Sequence, residues 1–127
     1  MTENEIAKEI VDAAYKIHLH FGPGLLESAY EAVLGYELSK RNLKVATQIP
    51  IHITYEGIQL ETAFRADMIV EDKVLVELKS IEQLSPVHSK QLLTYLRLAD
   101  KRLGLLINFG APRIKDGIVR LANNLIE

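Results

Sequence analysis

Arg65-Ala-Asp-Met-Ile-Val-Glu-Asp-Lys-Val-Leu-Val-Glu-Leu-Lys79 alternates with a period of two on either side of Glu71, Asp72 and Lys73. Such a pattern reads as two strands joined by a short turn. In the first strand Phe64, Ala66, Met68 and Val70 face one way, and Arg65, Asp67 and Ile69 the other. In the second, Val74, Val76 and Leu78 share a face, and Leu75, Glu77 and Lys79 share the opposite one. Directly opposed residues of an antiparallel pair lie on the same face, so an odd number of connecting residues brings Asp67 together with Glu77 and Lys79. Two carboxylates and an ammonium group then meet in an otherwise apolar hairpin.

Spacing alone leaves two readings of that meeting. Neighbouring carboxylates raise each other's pKa, which makes the arrangement most favourable around a divalent cation, with the lysine neutralising charge or orienting a water or phosphate. Alternatively, Lys79 forms a cross-strand salt bridge with Asp67 or Glu77 on a solvated face.

Upstream, Lys44 to Tyr55 reads as one strand, in which Pro50 points to an edge or a bulge; Glu56-Gly57 is a turn, and Ile58 opens the strand that leads into Asp67. His52, between two isoleucines, reads as a surface or core-edge residue. Two helices come before these strands. Residues 3–20 carry Ile6, Ile10, Ala13, Ala14 and Ile17 at helical spacing, with Thr2 as N-cap and Glu5 three residues on. Phe21-Gly-Pro-Gly24 ends this helix, and a second runs from about Leu25 to Arg41. Ser28, Glu31, Gly35, Ser39 and Asn42 form its polar arc, so Glu31 reads as solvated. Glu27 lies off that arc, in register with Leu34 and Leu38 and beside Tyr30. It is either a site carboxylate at the margin of the buried face or a first-turn acid complementing the helix dipole.

Downstream of Lys79, Ser85-Pro86 reads as an N-cap and first helical residue, and the helix continues to about Ala99. His88, Gln91 and Tyr95 share one face of it, as a site lining or as an exposed stripe. Leu103 to Phe109 is an apolar run, as expected of a strand covered on both faces, and Asn108-Phe-Gly-Ala-Pro112 leaves it. After an Asp116-Gly117 turn, Ile118-Val-Arg-Leu-Ala reads as a last short strand or a helical turn, the strand being favoured.

The 127 residues form one domain, with hydrophobic residues at 48% and charged residues at 25%, an ordinary globular balance. There is no cysteine, which excludes disulfides and thiolate metal sites and fits a reducing cytoplasm. The acidic start, Met-Thr-Glu-Asn-Glu-Ile, lacks the order of a signal peptide, and no apolar run reaches membrane-spanning length, so a soluble cytoplasmic protein without membrane contact is expected. The formal net charge of -2 gives no global attraction for nucleic acid. The basic clusters, Lys40-Arg41-Lys44, Lys101-Arg102 and Arg113-Lys115-Arg120, are small and read as solvated charge at element ends.

With these residues in place, the chain resembles the GxxExxY proteins of the PD-(D/E)XK nuclease superfamily. Gly24-Leu-Leu-Glu27-Ser-Ala-Tyr30 matches the name motif, Asp67 followed by Glu77-Leu-Lys79 is similar to the D…(D/E)xK core, and Gln91-Leu-Leu-Thr-Tyr95 resembles the QxxxY motif of RecB-like nucleases. Arg65-Ala66 stands before the aspartate, so the proline of the superfamily's name is absent. These motifs, occurring in order, favour the site reading of the hairpin over the salt bridge.

The resemblance implies an α/β, restriction-endonuclease-like core, a central mixed sheet flanked by helices in the order α-α-β-β-β-α-β with a further terminal strand. It implies a metal-dependent nuclease acting on DNA more readily than RNA. Asp67 and Glu77 would bind Mg²⁺ or Mn²⁺ with a backbone carbonyl near Leu78, and Glu27 would reach the ion directly or through water. Lys79 would activate water and stabilise phosphate charge; Gln91, Tyr95, Arg65 and Tyr30 would orient the lysine or the substrate. Zinc suits the site less, because cysteine is absent and the histidines lack paired ligand spacing. A substrate-binding appendage is missing, so recognition would fall to a homodimer or an unidentified partner protein, and the edge strand with Ile49, Ile51 and Ile53 would need cover. The alternatives are a catalytically silent nucleic-acid-binding or protein-assembly module on the same scaffold, and hydrolysis of a small phosphate ester.

Overall fold

Three residues separate Val70 from Val74, and these two pair directly in an antiparallel hairpin of β4 (Arg65–Val70) and β5 (Val74–Lys79). The computed structural model describes residues 1–61 and 64–126. The tight turn holds Glu71 and Asp72 at φ 54° each, a left-handed conformation that disfavours side chains other than glycine. Three contacts offset that strain: Lys73 N–H donates to the Val70 carbonyl, Glu71 exchanges hydrogen bonds with the Lys44 backbone, and Asp72 pairs with Lys101 at 3.1 Å.

The hairpin forms part of a five-stranded sheet of order β1-β4-β5-β6-β7, with β1 at Val45–Pro50, β6 at Leu103–Asn108 and β7 at Ile118–Ala122. β6 runs parallel to β5 and the remaining pairs are antiparallel, so the sheet is mixed, as expected. Every residue of β6 is buried, because helices cover both faces there. α1 (Glu3–Phe21) and α2 (Glu27–Lys40) pack on one face over Met68, Val70, Val76, Leu105 and Ile107; α3 (Pro86–Ala99) packs on the other over Ile69, Leu75 and Leu106. The Thr2 capping box with Glu5 starts α1, as the spacing predicts. Among the described residues no helix is long and apolar enough to cross a membrane.

Two expectations for the strands fail. Lys44 to Tyr55 is not one strand. β1 ends at Pro50, and β2 (Ile53–Tyr55) leaves the main sheet to pair with β3 (Ile58–Leu60) in a separate two-stranded arm. Ile58 therefore opens the returning strand of that arm and does not run on into Asp67. Among the described residues five strands precede α3 where three were expected. The cause is at Pro50, which offers no N–H to extend the ladder, and at Glu56-Gly57, whose φ values of 52° and 76° make a tight two-residue reversal.

The second correction concerns cover. β1 is the sheet edge, yet Ile51 is buried in the α3-side core and Ile49 is partly buried against it, so these residues do not call for a partner. The exposed apolar side chains of this region lie on the β2–β3 arm instead.

Candidate active site

The β4–β5 register places Asp67 opposite Glu77, but backbone pairing stops at Met68 and Val76. Beyond that point each carboxylate takes the other strand's amide. Glu77 Oε1 accepts from Asp67 N–H at 3.0 Å, and Asp67 Oδ2 accepts from Leu78 N–H at 2.8 Å. The two side chains thus fill the gap between diverging strands and satisfy its backbone donors. One oxygen of each is spent in this way. No buried side-chain oxygen or nitrogen among the described residues lacks a partner, so the second oxygen of each carboxylate is reached by solvent.

Glu77 is 8% exposed. Burial, and then the adjacent Asp67 carboxylate, push its pKa up to about 8, while Asp67 N–H and the Lys79 ammonium pull it back in part. Among the described residues neither carboxylate forms an ion pair with Lys79. The salt-bridge reading of the hairpin therefore fails: Lys79 is half-buried and its ammonium is not consumed by either acid.

Glu27 is the first residue of α2 and is exposed. With Ser28, Glu31, Gln48, Asp67 and Leu78 it lines a cleft of about 220 Å³, so the structure brings the motif glutamate and the hairpin aspartate to one cavity. Glu31, expected to be merely solvated, also belongs to this wall, and its carboxylate accepts from the Gln48 amide at 2.8 Å. Gln48 sits at φ 52° on β1 between two residues that pair in register with Met68 and Ala66, which places it opposite Asp67. Sequence reasoning missed Gln48, because a left-handed residue within a strand leaves no trace in the alternation.

Tyr30 does not orient substrate. It is fully buried, stacks on Phe109 with ring centroids 4.3 Å apart, donates its hydroxyl proton to the Gly22 carbonyl at 2.5 Å and accepts from Leu25 N–H at 3.2 Å. Its work is on the Gly22–Leu25 loop. The Leu25 carbonyl is held in turn by the Ser80 hydroxyl at 2.7 Å. Leu25 is thus gripped at both backbone polar atoms, and Glu27, two residues on, is registered against the residue after Lys79.

A second clamp fixes the far side of Lys79. The Asn108 amide bonds Ile81 through both its oxygen and its nitrogen, and Phe109 N–H donates to the Lys79 carbonyl at 2.9 Å. Gly110 allows this approach, since a Cβ there would lie 2.3 Å from the Ile81 carbonyl oxygen. Gly110→Ala is expected to destabilise the fold by about 2 kcal/mol or more, by steric overpacking against backbone that cannot yield. A chemical denaturation midpoint unchanged from wild type would contradict this.

On α3, the Gln91 amide donates to the Tyr95 hydroxyl at 3.0 Å. Tyr95 is buried, and its pKa is raised by burial and then by the Glu77 charge, which places its hydroxyl in the electrostatic reach of the carboxylate pair. His88 leaves the expected stripe: its ring Nδ1 accepts from Ser85 N–H at 3.0 Å and caps the helix start. Arg65 is exposed at the start of β4, two residues before Asp67. His52 is exposed, as expected.

Among the described residues no three histidine, aspartate or glutamate side chains converge into a ready-made metal cage. The donors that do meet are hard oxygens, two of them free and one carboxylate raised in pKa, which is the donor chemistry of Mg²⁺ or Mn²⁺ retaining several waters. A family model described as the PD-(D/E)XK nuclease superfamily matches residues 4–121 of the chain. No curated protein and no solved structure matches it.

Proposed function

The chain belongs to the PD-(D/E)XK nuclease superfamily, and on that footing we propose that it is a Mg²⁺- or Mn²⁺-dependent nuclease of the GxxExxY type that hydrolyses phosphodiester bonds in DNA more readily than in RNA, in the cytoplasm. The observation that carries this reading is the crossed pair of Asp67 and Glu77, each with one oxygen fixed and one free, beside an unpaired Lys79.

Asp67 and Glu77 would hold the ion together with a backbone carbonyl near Leu78, and Glu27 would reach it through water across the cleft. The bound ion supplies charge neutralisation at phosphate and lowers the pKa of a water. The chain's own residues do the remaining work. The Lys79 ammonium, on backbone anchored by Phe109 N–H and flanked by the Ser80 and Asn108 clamps, orients the attacking water and stabilises charge building on the phosphate. Gln91 fixes the Tyr95 hydroxyl, and Tyr95 walls the Glu77 side of the pair. Arg65, exposed before Asp67, contacts the substrate backbone. The scarcity of cations around the cleft leaves grip on a long substrate to a second copy or a partner protein.

Labelled single- and double-stranded DNA and RNA, incubated with Mg²⁺ or Mn²⁺ and with wild type or Glu77→Ala, test the reading. Metal-dependent cutting lost in the variant is expected. Cutting that persists in Glu77→Ala, or a protein that neither cuts nor binds the metals, would overturn it and favour the assembly module.

A further inference from the structure

The β2–β3 arm is built inside out. Ile53 pairs with Leu60 and Tyr55 with Ile58, so alternation places all four on one face, and Thr54 and Gln59 on the other. The polar pair lines a pocket against the body of the protein with Ile49, Ile69 and Lys101. The apolar face therefore points outward, with Tyr55 65%, Ile58 62% and Leu60 47% exposed. A two-stranded ribbon is marginal by itself, and one that turns its apolar face to water needs cover.

A second apolar surface lies open on the α1–α2 layer. A groove of about 700 Å³ runs between the C-terminal half of α1 and the outer side of α2. Leu19 is 90%, Tyr36 70% and Phe21 46% exposed along it. Its rim is basic. Lys16 and Lys40 both lean on Glu37 at the groove floor, at 2.6 and 3.9 Å, so two ammonium groups share one buried carboxylate and keep most of their surface free; His20 adds a third nitrogen base.

The arm has the opposite sign. From Ile53 to Phe64 the chain carries Glu56 and Glu61 and no lysine or arginine. Stacking two arms face to face would set these glutamates against each other with no cation between them. Seating the arm in the groove sets them against Lys16, Lys40 and His20. We infer that the β2–β3 arm of one copy docks in the α1–α2 groove of a second copy, the contact being made twice about a two-fold axis. Arm and groove are different patches of the same chain, so only a reciprocal exchange closes the assembly at two subunits. This inference is independent of the chemistry at Glu77.

Sedimentation velocity of the full chain at micromolar concentrations is the test. Wild type is expected to run as a dimer. The arm variant Tyr55→Ser/Ile58→Ser and the groove variant Leu19→Ser/Tyr36→Ser should each weaken association about tenfold or more. Both should keep wild-type circular dichroism, since only exposed side chains change. Mixing the two variants should recover part of the association at most, because the mixed pair has one intact contact and one altered on both sides. Glu56→Lys and Lys40→Glu give a second route, each weakening the dimer alone and restoring it when combined in one chain. A wild type that stays monomeric, an open-ended series of oligomers, variants that dimerise like wild type, or a charge-swapped double variant that stays monomeric would overturn the inference.

Discussion

Lys79→Ala is expected to bind Mg²⁺ about as well as wild type and to cleave about 10³-fold more slowly, whereas Asp67→Asn should lose both properties. The two groups sit within one hairpin and would be confused by activity alone. On the proposed reading Asp67 would offer its free oxygen to the ion, while Oδ2 accepts from Leu78 N–H. Asparagine keeps an oxygen for that amide and loses the charge, so the fold survives and the affinity falls. Among the described residues Lys79 forms no ion pair with either carboxylate, so its removal leaves both side chains and their backbone hydrogen bonds in place. Calorimetry with Mg²⁺ beside turnover on the nucleic acid that wild type cuts best separates the two roles. Equal loss of metal affinity in both variants would make Lys79 a structural partner of the carboxylates and remove it from the chemistry.

The second large effect is on stability. Glu77 is raised from an ordinary 4.5 to about 8. Below the lower value folded and unfolded chains are both protonated there, and the group is neutral to stability. Between the two values the folded state holds a proton that the unfolded state has released, so stability falls as pH rises. At about 1.4 kcal/mol per pH unit the full penalty, reached above pH 8, is about 5 kcal/mol. Glu77→Gln has no proton to lose and keeps an oxygen for Asp67 N–H. In chelator it is expected to melt on the order of 15 °C higher than wild type near pH 8.5, with the gap closing towards pH 5. Saturating Mg²⁺ should raise the wild type at high pH and leave the glutamine variant unchanged. Parallel melting curves for the two proteins across this range would show that Glu77 titrates normally and that the pair is not strained.

The hairpin, its odd turn and the meeting of Asp67 with Glu77 were legible because period-two alternation and cross-strand geometry leave little freedom once the turn length is known. α1, α3 and β6 followed from caps and apolar runs. What the pattern could not carry is partnership. The Glu56-Gly57 turn marks a reversal between Ile53–Tyr55 and Ile58–Leu60, but alternation alone does not say that this pair leaves the main sheet as a separate arm. Tyr30 illustrates the complementary failure: its place in a motif beside Glu27 suggested a role on substrate, whereas its ring lies under the loop that positions Glu27. Glu31 read as solvated from its polar arc, since the strand that supplies Gln48 comes from elsewhere in the chain. Asn108 and Gly110 were visible as the exit from β6, but their grip on Ile81 is a tertiary contact between residues 27 positions apart.

The clamps around Leu25, Ser80 and Asn108 also bear on when, during synthesis, the proposed site would be complete. Glu27, the hairpin acids and the strand that flanks Lys79 come from separate stretches, and β5 gains its second neighbour only when β6 has been made. A ribosome-bound chain that stops short of Asn108 lacks the backbone anchor for Lys79, so on the proposed reading a half-made molecule would not yet cut. The capacity to cut would arrive late and all at once, with the closing of the sheet.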